Sequence, residues 1–419
     1  MTTITGEDLL PRLQEVYRDL HRYPELSFAE HRTAGVAANW LRGRGFAVTE
    51  GVGRTGVTGV LRRGAGPVVL LRADMDALPV ADNTGLSFAS QARGIDPDGR
   101  EVPVMHVCGH DVHVTCLLGA AAVLATDTSW AGTVVVVFQP AEEVAQGATA
   151  MVEDGLYDTV PRPDVVLGQH VAPLPAGFLG LRAGPAFAAT DSLRVTMYGA
   201  GGHGSRPEAT VDPVVMAAAT VLRLQTVVSR EIAGSDTAVL TVGSVQAGTK
   251  ANIIPDHAEL LLNVRSYDSE VRQRVLAAIT RIVEGEARVA GAPRPPHIES
   301  IETAPAVVND ADGAMRTWPA LEEVVGPGRL IDPGPVTGSE DVGVLATAAG
   351  APCVFWLLGG ADPALFAQAR DVREIRNLIA SLPSNHSPRY APVIDPTIRI
   401  GMQALVGAAR TWLHESAPA

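Results

Sequence analysis

The run Thr133–Phe138 (TVVVVF) constrains the fold more than any other stretch of the 419-residue chain. A strand exposed on one face alternates apolar and polar residues. One this uniformly apolar has to be covered on both faces, as the central strands of parallel sheets are. Asp164–His170 (DVVLGQH) reads the same way, and Val57–Leu61 and Val68–Leu71 are shorter apolar runs. Helical spacing fills the intervals: Leu9, Leu13, Val16 and Leu20 share one face of Asp8–Tyr23, and Glu30–Arg44 and Asp111–Leu124 are two more helices. Strands alternating with helices predict an α/β fold, a mainly parallel sheet flanked by helices. Pro352–Leu358 (strand) and Ile398–Leu413 (helix) return to that grammar in the last third.

Between them the pattern changes. Ser192–Tyr198 alternates, a helix spans Asp212–Arg230, Ala238–Val245 and Ala258–Tyr267 alternate again, and a second helix covers Ser269–Val289. That β-α-β-β-α order is most of a ferredoxin-like α+β unit, closed by the Pro-rich Gly291–His297. The expected architecture is a discontinuous catalytic domain, residues 1–187 and 300–419, carrying an inserted lid domain at 188–299.

Composition narrows the function. With 33 basic and 46 acidic residues the formal charge is −13, which argues against a nucleic-acid backbone or an anionic membrane as partner. Three cysteines cannot staple a chain this long and suggest a reducing compartment. No apolar run reaches the roughly 18 residues of a membrane span, and MTTITGEDLLPRLQEVY has no signal-peptide pattern. The expected location is the cytoplasm.

The densest polar cluster is MHVCGHDVH, with His106, Cys108, His110, Asp111 and His113 inside eight residues. Alternate positions of an extended segment share a side, and imidazole and thiolate together suit zinc and neighbouring transition metals. A Cys–His nucleophile pair is the rival reading. Glu142 and Glu143 follow TVVVVF directly, at the carboxyl end of a strand, where open α/β sheets bind ligands. In a turn, one such carboxylate can ligate a metal while its neighbour takes a proton from water. His170 ends DVVLGQH, His386 lies in the loop SNHSPRY, and His203 lies in GAGGHGSRP. The last segment matches G-x-G-x-x-G but lacks the acidic residue about twenty positions on that a dinucleotide site needs.

Taken in order, the segments LHRYPELSFAE, LRADMDALPV, MHVCGHDVHV, FQPAEE, GQHV, GAGGHGSRP, ANIIPD, GSEDVG and NHSP resemble the M20 metallopeptidase family. The likeness is to its amidohydrolase branch of N-acyl-amino-acid, hippurate and auxin-conjugate hydrolases. The resemblance implies two divalent ions per subunit (zinc, manganese, cobalt or nickel) on Cys108, His110, Glu143, His170 and His386. It also implies Glu142 as general base and Asp76 as a carboxylate orienting a ligating imidazole. His203 would support the oxyanion, and Asn252 and Arg265 would grip the substrate carboxylate. The implied activity is metal-dependent hydrolysis of N-acyl-L-amino acids to carboxylic acid and free amino acid, in a homodimer formed through the lid. A dipeptidase of the same family, a thiol hydrolase using Cys108 and a non-catalytic small-molecule-binding protein are the alternatives. Tyr23, the stretch VAQGA after Glu143 and VG after GSED depart from the branch pattern.

Overall fold

The computed structural model describes residues 6–370 and 372–415. The first five residues, on which the expectation of no signal peptide partly rests, lie outside them. The chain divides into two compact units: Met1–Ala186, Val308–Gly334 and Asp341–Ala419 form the first, Phe187–Val307 and Pro335–Glu340 the second.

In the first unit, α1 (Leu10–Arg22) and α2 (His31–Arg42) precede β1 (Ala47–Val52), β2 (Gly56–Arg63) and β3 (Val68–Asp74). Next come α3 (His110–Thr126), β4 (Trp130–Gln139) and β5 (Val165–Pro175), and after the insertion β6 (Cys353–Ala361) and α4 (Thr397–Trp412). The sheet order is β1-β2-β4-β3-β5-β6, continued by the two-residue strands Leu179–Gly180 and Leu330–Ile331. The four strands β4, β3, β5 and β6 are parallel, while β1 and β2 run antiparallel at one edge. β4 is therefore interior. Its Val134–Phe138 stretch is fully buried, and burying each such side chain contributes about 1.5–3 kcal/mol. From His110 to Leu124 every residue of α3 is buried too, as expected of a helix apolar on all sides; it packs against α1 and α4.

One cation lies inside this apolar layer. Arg72 on β3 is 1% exposed. Its Nε donates to Gln139 Oε1 at 2.9 Å, Nη1 to Asp74 Oδ2 at 2.6 Å and Nη2 to Asp341 Oδ1 at 3.1 Å. Asp341 in turn accepts from Gln139 Nε2 at 2.6 Å and from Ala148 N at 3.0 Å. The guanidinium thus joins β3, the end of β4, the loop beyond it and the segment at Asp341. A second buried ion pair joins α1 to α3: His21 Nδ1 meets Asp111 Oδ2 at 2.7 Å and its Nε2 meets Asp82 Oδ2 at 3.2 Å. Burial alone would depress the His21 pKa, but the hydrogen bonds and charges of Asp111 and Asp82 raise it to about 9.

The second unit is a four-stranded antiparallel sheet in the order Ala238–Ala247, His257–Ser266, Ala189–Tyr198, His297–Ala304. Helices Pro213–Thr226 and Ser269–Val289 pack on it, which completes a β-α-β-β-α-β arrangement. Along His257–Ser266 the buried residues Ala258, Leu260, Leu262 and Val264 alternate with more exposed ones, so one face meets the helices. Asp268 caps the second helix by accepting from Glu270 N and Val271 N. The insertion does not end at 299. His297–Ala304 pairs with Ala189–Tyr198, and Val336 and Gly338 accept from Ala188 N, so 300–307 and 335–340 belong to this unit. Among the described residues no helix is long and apolar enough to cross a membrane.

Replacing Arg72 with Leu leaves Asp74 and Asp341 buried without their cation and should cost about 3–5 kcal/mol in urea unfolding. His21 gives a pH-dependent prediction. Its folded pKa is raised above 6.5 to about 9, so its stabilisation is complete below pH 6.5 and lost as pH rises through 9. The unfolding free-energy gap between wild type and His21→Gln should shrink by on the order of 3 kcal/mol between pH 6 and pH 10.

Candidate active site

The site lies at the carboxyl ends of β3, β4 and β5. Asp74 ends β3 and Asp76 follows it, and beyond β4 comes the turn with Glu142 and Glu143. His170 sits inside β5, which runs on to Pro175 rather than ending at the histidine. The extended reading of MHVCGHDVH does not hold: Gly109 N donates to His106 O, closing a turn over the four residues before the helix. This glycine, at φ 89°, caps a helix that begins at His110, and a Cβ there would lie 2.4 Å from Val171 Cγ1. Cys108 therefore stays in the loop, while His110 and His113 fall one turn apart on α3.

Cys108 joins two constellations. With His110 and His170 it forms one group of mutually close ligand atoms, and with Glu143 and His386 another. Its Sγ is 3.4 Å from His170 Nε2, and His386 Nε2 is 3.3 Å from Glu143 Oε2. His110 Nε2 lies 3.8 Å from both Glu142 Oε2 and Glu143 Oε1. All five expected ligands and Glu142 are thus brought together, from segments as far apart as 108 and 386. His203, Asn252 and Arg265 belong to the second unit.

The supports were less visible in the sequence. Asp76 accepts from Ser27 Oγ at 2.7 Å, from Glu142 N at 3.1 Å and from Glu143 N at 3.0 Å. Its backbone oxygen accepts from His110 Nδ1 at 2.8 Å, which turns Nε2 toward the carboxylates of Glu142 and Glu143. Asp74 binds His113 Nδ1, and His113 Nε2 accepts from Val171 N at 2.7 Å, which fixes the backbone beside His170. Asn385 donates to Cys108 O at 2.9 Å and to Val171 O at 3.1 Å, while His386 N donates to Val107 O at 2.9 Å. Three ligand-bearing segments are stitched together there, and His386 is held at φ 71°. Asp74, His113 and Asn385 lay within the quoted motifs, but their roles depend on partners far away in sequence.

The electrostatics favour cations. Burial would raise the pKa of Asp74 and Asp76; Arg72, His110 and His113 hold the first well below the usual range, and His110 and Ser27 lower the second. Hydrogen bonds to Cys108 and Glu143 raise His386 to about 10. Burial depresses His110, yet Asp74, Cys108 and Asp76 raise it well above 6.5. Burial pushes the Cys108 thiol up, and the Glu143 charge adds to this; burial, with His113, pushes His170 well down. Two further atoms fit a metal directly: His110 Nε2 and Glu143 Oε1 are buried with no hydrogen-bond partner. A thiolate, three imidazoles and a carboxylate form a donor set suited to two borderline divalent ions.

The sequence model described as peptidase family M20/M25/M40 matches residues 70–375, well over half of the chain. The chain belongs to that family. An N-acetyl-L-cysteine deacetylase of Bacillus subtilis is 36% identical to this M20 protein over 336 residues, 78% of the chain and 75% of the relative. A hippurate hydrolase of Campylobacter jejuni is 39% identical over 283 residues, 67% and 71% of the two. Such relatives place the chain in the amidohydrolase branch. A solved Bacillus subtilis structure described as a dinuclear metal-binding peptidase of the M20 family superposes with a TM-score of 0.74 at 29% identity, covering 96% and 98% of the two chains.

In the second unit, His203 and Ile253 pair in a short ladder and Asn252 O accepts from Gly204 N, so His203 and Asn252 are neighbours. His203 Nδ1 accepts from Ser205 N at 3.1 Å, so the neutral ring carries its proton on Nε2. Arg265 lies at the other end of strand His257–Ser266, about 23 Å from Ala258 at about 3.3 Å per residue. Its Nε donates to Asn263 Oδ1, and its buried Nη1 has no partner.

Asn385→Ala should weaken divalent-metal affinity about 10- to 100-fold. Titration of metal-stripped protein, with circular dichroism as the control for folding, checks this.

Proposed function

We propose that this M20 enzyme hydrolyses the amide bond of small N-acyl amino acids, with Cys108, His110, Glu143, His170 and His386 holding two divalent ions and Glu142 acting as general base. The observation that carries the reading is the membership of Cys108 in two adjacent ligand groups with Glu142 beside them. Zinc, manganese, cobalt and nickel all suit the donors. When bound, the ions polarise the scissile carbonyl and bring the pKa of a water toward neutrality.

The chain's own residues do the rest. Glu142 takes the proton of the attacking water and delivers it to the leaving nitrogen as the C–N bond breaks, releasing a carboxylic acid and an amino acid. Asp76 holds Glu142 and Glu143 by their backbone N–H groups. His203 offers Nε2–H to the oxyanion, and Asn252 and Arg265 take the substrate carboxylate, Arg265 through its unpartnered Nη1. A thiol mechanism is disfavoured because Cys108 is shared by two groups of close ligand atoms, where a metal-bound sulfur is no free nucleophile. Cys108, Cys116 and Cys353 are all buried thiols, in keeping with work in the reducing cytoplasm.

His203 and Asn252 belong to the short ladder just before strand His257–Ser266, and Arg265 lies near that strand's far end, so one lid would serve two sites in a homodimer. The face proposed for pairing comprises the edge strand Ala238–Ala247, with Val239 and Val245 exposed, and helix Pro213–Thr226, where Val215 and Leu222 are 65% and 73% exposed.

Glu142→Gln should lower kcat about 10²- to 10⁴-fold with metal content unchanged, measured on N-acetyl, N-benzoyl and long-chain acyl amino acids beside free dipeptides. Substantial turnover by that variant would remove Glu142 from its role, and preference for dipeptides would move the activity within the family. The pairing face is checked by light scattering of Val215→Asp/Leu222→Asp, which should be monomeric and nearly inactive.

A further inference from the structure

In the turn after β4, three consecutive backbone N–H groups are taken by two buried carboxylates. Glu142 N and Glu143 N go to the two oxygens of Asp76, and Ala141 N goes to Glu30 Oε1 at 2.8 Å. Glu30 is fully buried. Its Oε1 also accepts from Phe28 N at 2.9 Å, and its Oε2 from Thr55 Oγ. Phe28 and Ala141 are both non-glycine residues at positive φ, 62° and 49°, a region such residues enter only when their surroundings hold them there. The carbonyl side of the turn is used locally: Ala141 O accepts from Gln146 N and Gly147 N, and Glu142 O from Ala145 N. Gly147 has to be glycine, since a Cβ would lie 1.5 Å from Pro140 O. The loop thus closes on itself, and the N–H groups of Ala141, Glu142 and Glu143 are anchored by Glu30 and Asp76.

We infer that Glu30 is a positioning residue for the proposed hydrolysis: its buried carboxylate fixes Ala141 in the left-handed conformation from which Glu142 and Glu143 are aimed at the ligand cluster. The inference rests on the roles proposed above for those two carboxylates. Glu30 acts as a hydrogen-bond acceptor here. Burial, then the Asp76 charge, raises its pKa to about 7, so a neutral isostere suits the same place. A residue that only filled space would leave different traces, because glycine enters the left-handed region at no steric cost. Freeing Ala141 of its Cβ should therefore compensate for loss of the anchor but not for loss of volume.

The experiment compares wild type with Glu30→Ala, Glu30→Gln, Ala141→Gly and Glu30→Ala/Ala141→Gly. Metal affinity comes from calorimetric titration of metal-stripped protein with Zn²⁺ and Mn²⁺, kcat and KM from an N-acetyl amino acid at saturating metal, and Tm from thermal melts. Glu30→Ala should lose about tenfold or more in both metal affinity and kcat, with KM changed by less than about threefold. Glu30→Gln should restore most of that loss, and Ala141→Gly added to Glu30→Ala should recover at least about fivefold. The inference is overturned if the double variant is no better than Glu30→Ala, if Glu30→Gln is as impaired, or if Glu30→Ala changes only Tm. Should Glu30→Ala not fold, the isosteric Glu30→Gln decides: near-wild-type affinity supports the acceptor role and a tenfold loss rejects it. Wild-type protein inactive on every N-acyl amino acid would defeat the functional reading alone, since the metal-affinity comparison needs no turnover.

Discussion

The guanidinium of Arg72 is the positive charge around which the first unit is organised. A bare ion there would be expensive, and it persists because every face of it is matched: Asp74 beside it on β3, Gln139 at the end of β4 and Asp341 from beyond the insertion. The same contacts set the ends of two parallel strands in register with the segments that bear the functional groups. Asp74, held ionised by Arg72, orients His113, and His113 fixes the peptide next to His170. One charge deep in the sheet thus reaches a proposed ligand through a chain of three partners.

Around the ligand cluster the balance reverses. Asp74, Asp76, Glu142 and Glu143 concentrate carboxylates in a volume that excludes most water, and neighbouring acidic groups raise the pKa of His110 and His386. Divalent ions would neutralise these groups, and His110 Nε2 and Glu143 Oε1, buried without hydrogen-bond partners, would be open to them. Strain gathers in the same place. Ala141, Ala145 and His386 all sit at positive φ, and each lies in or beside a segment that carries a proposed ligand.

Much of this was legible from local pattern. Val134–Phe138 declared a covered strand by the absence of polar residues, and helix Ser269–Val289 has the bounds its periodicity gave. The ligand-bearing motifs were conspicuous because thiol, imidazole and carboxylate groups rarely cluster. What stayed hidden is nonlocal. Arg72, Glu30 and Asn385 look ordinary in sequence, and their importance comes from partners between 67 and 277 positions away. Strand His297–Ala304 (HIESIETA) was missed because only Ala304 is buried; a charged edge strand shows little hydrophobic alternation. The helix starting at His110 rather than Asp111, and β5 running past His170, turn on close packing at Gly109 and on pairing with β6, neither of which local composition records.

The interrupted order of the first unit also bears on how the molecule is made. Ribosomes deliver the N-terminal part first, so the strands up to β5 and the whole inserted sheet emerge before β6 and His386 exist. The inserted unit owns nearly all of its partners in one contiguous stretch and can fold while the chain is still growing. The larger sheet must wait, its β5 edge lacking the strand that will cover it. If His386 is a ligand as proposed, the nascent polypeptide cannot hold the full ligand set until translation is almost complete, and metal loading becomes an event of the released chain.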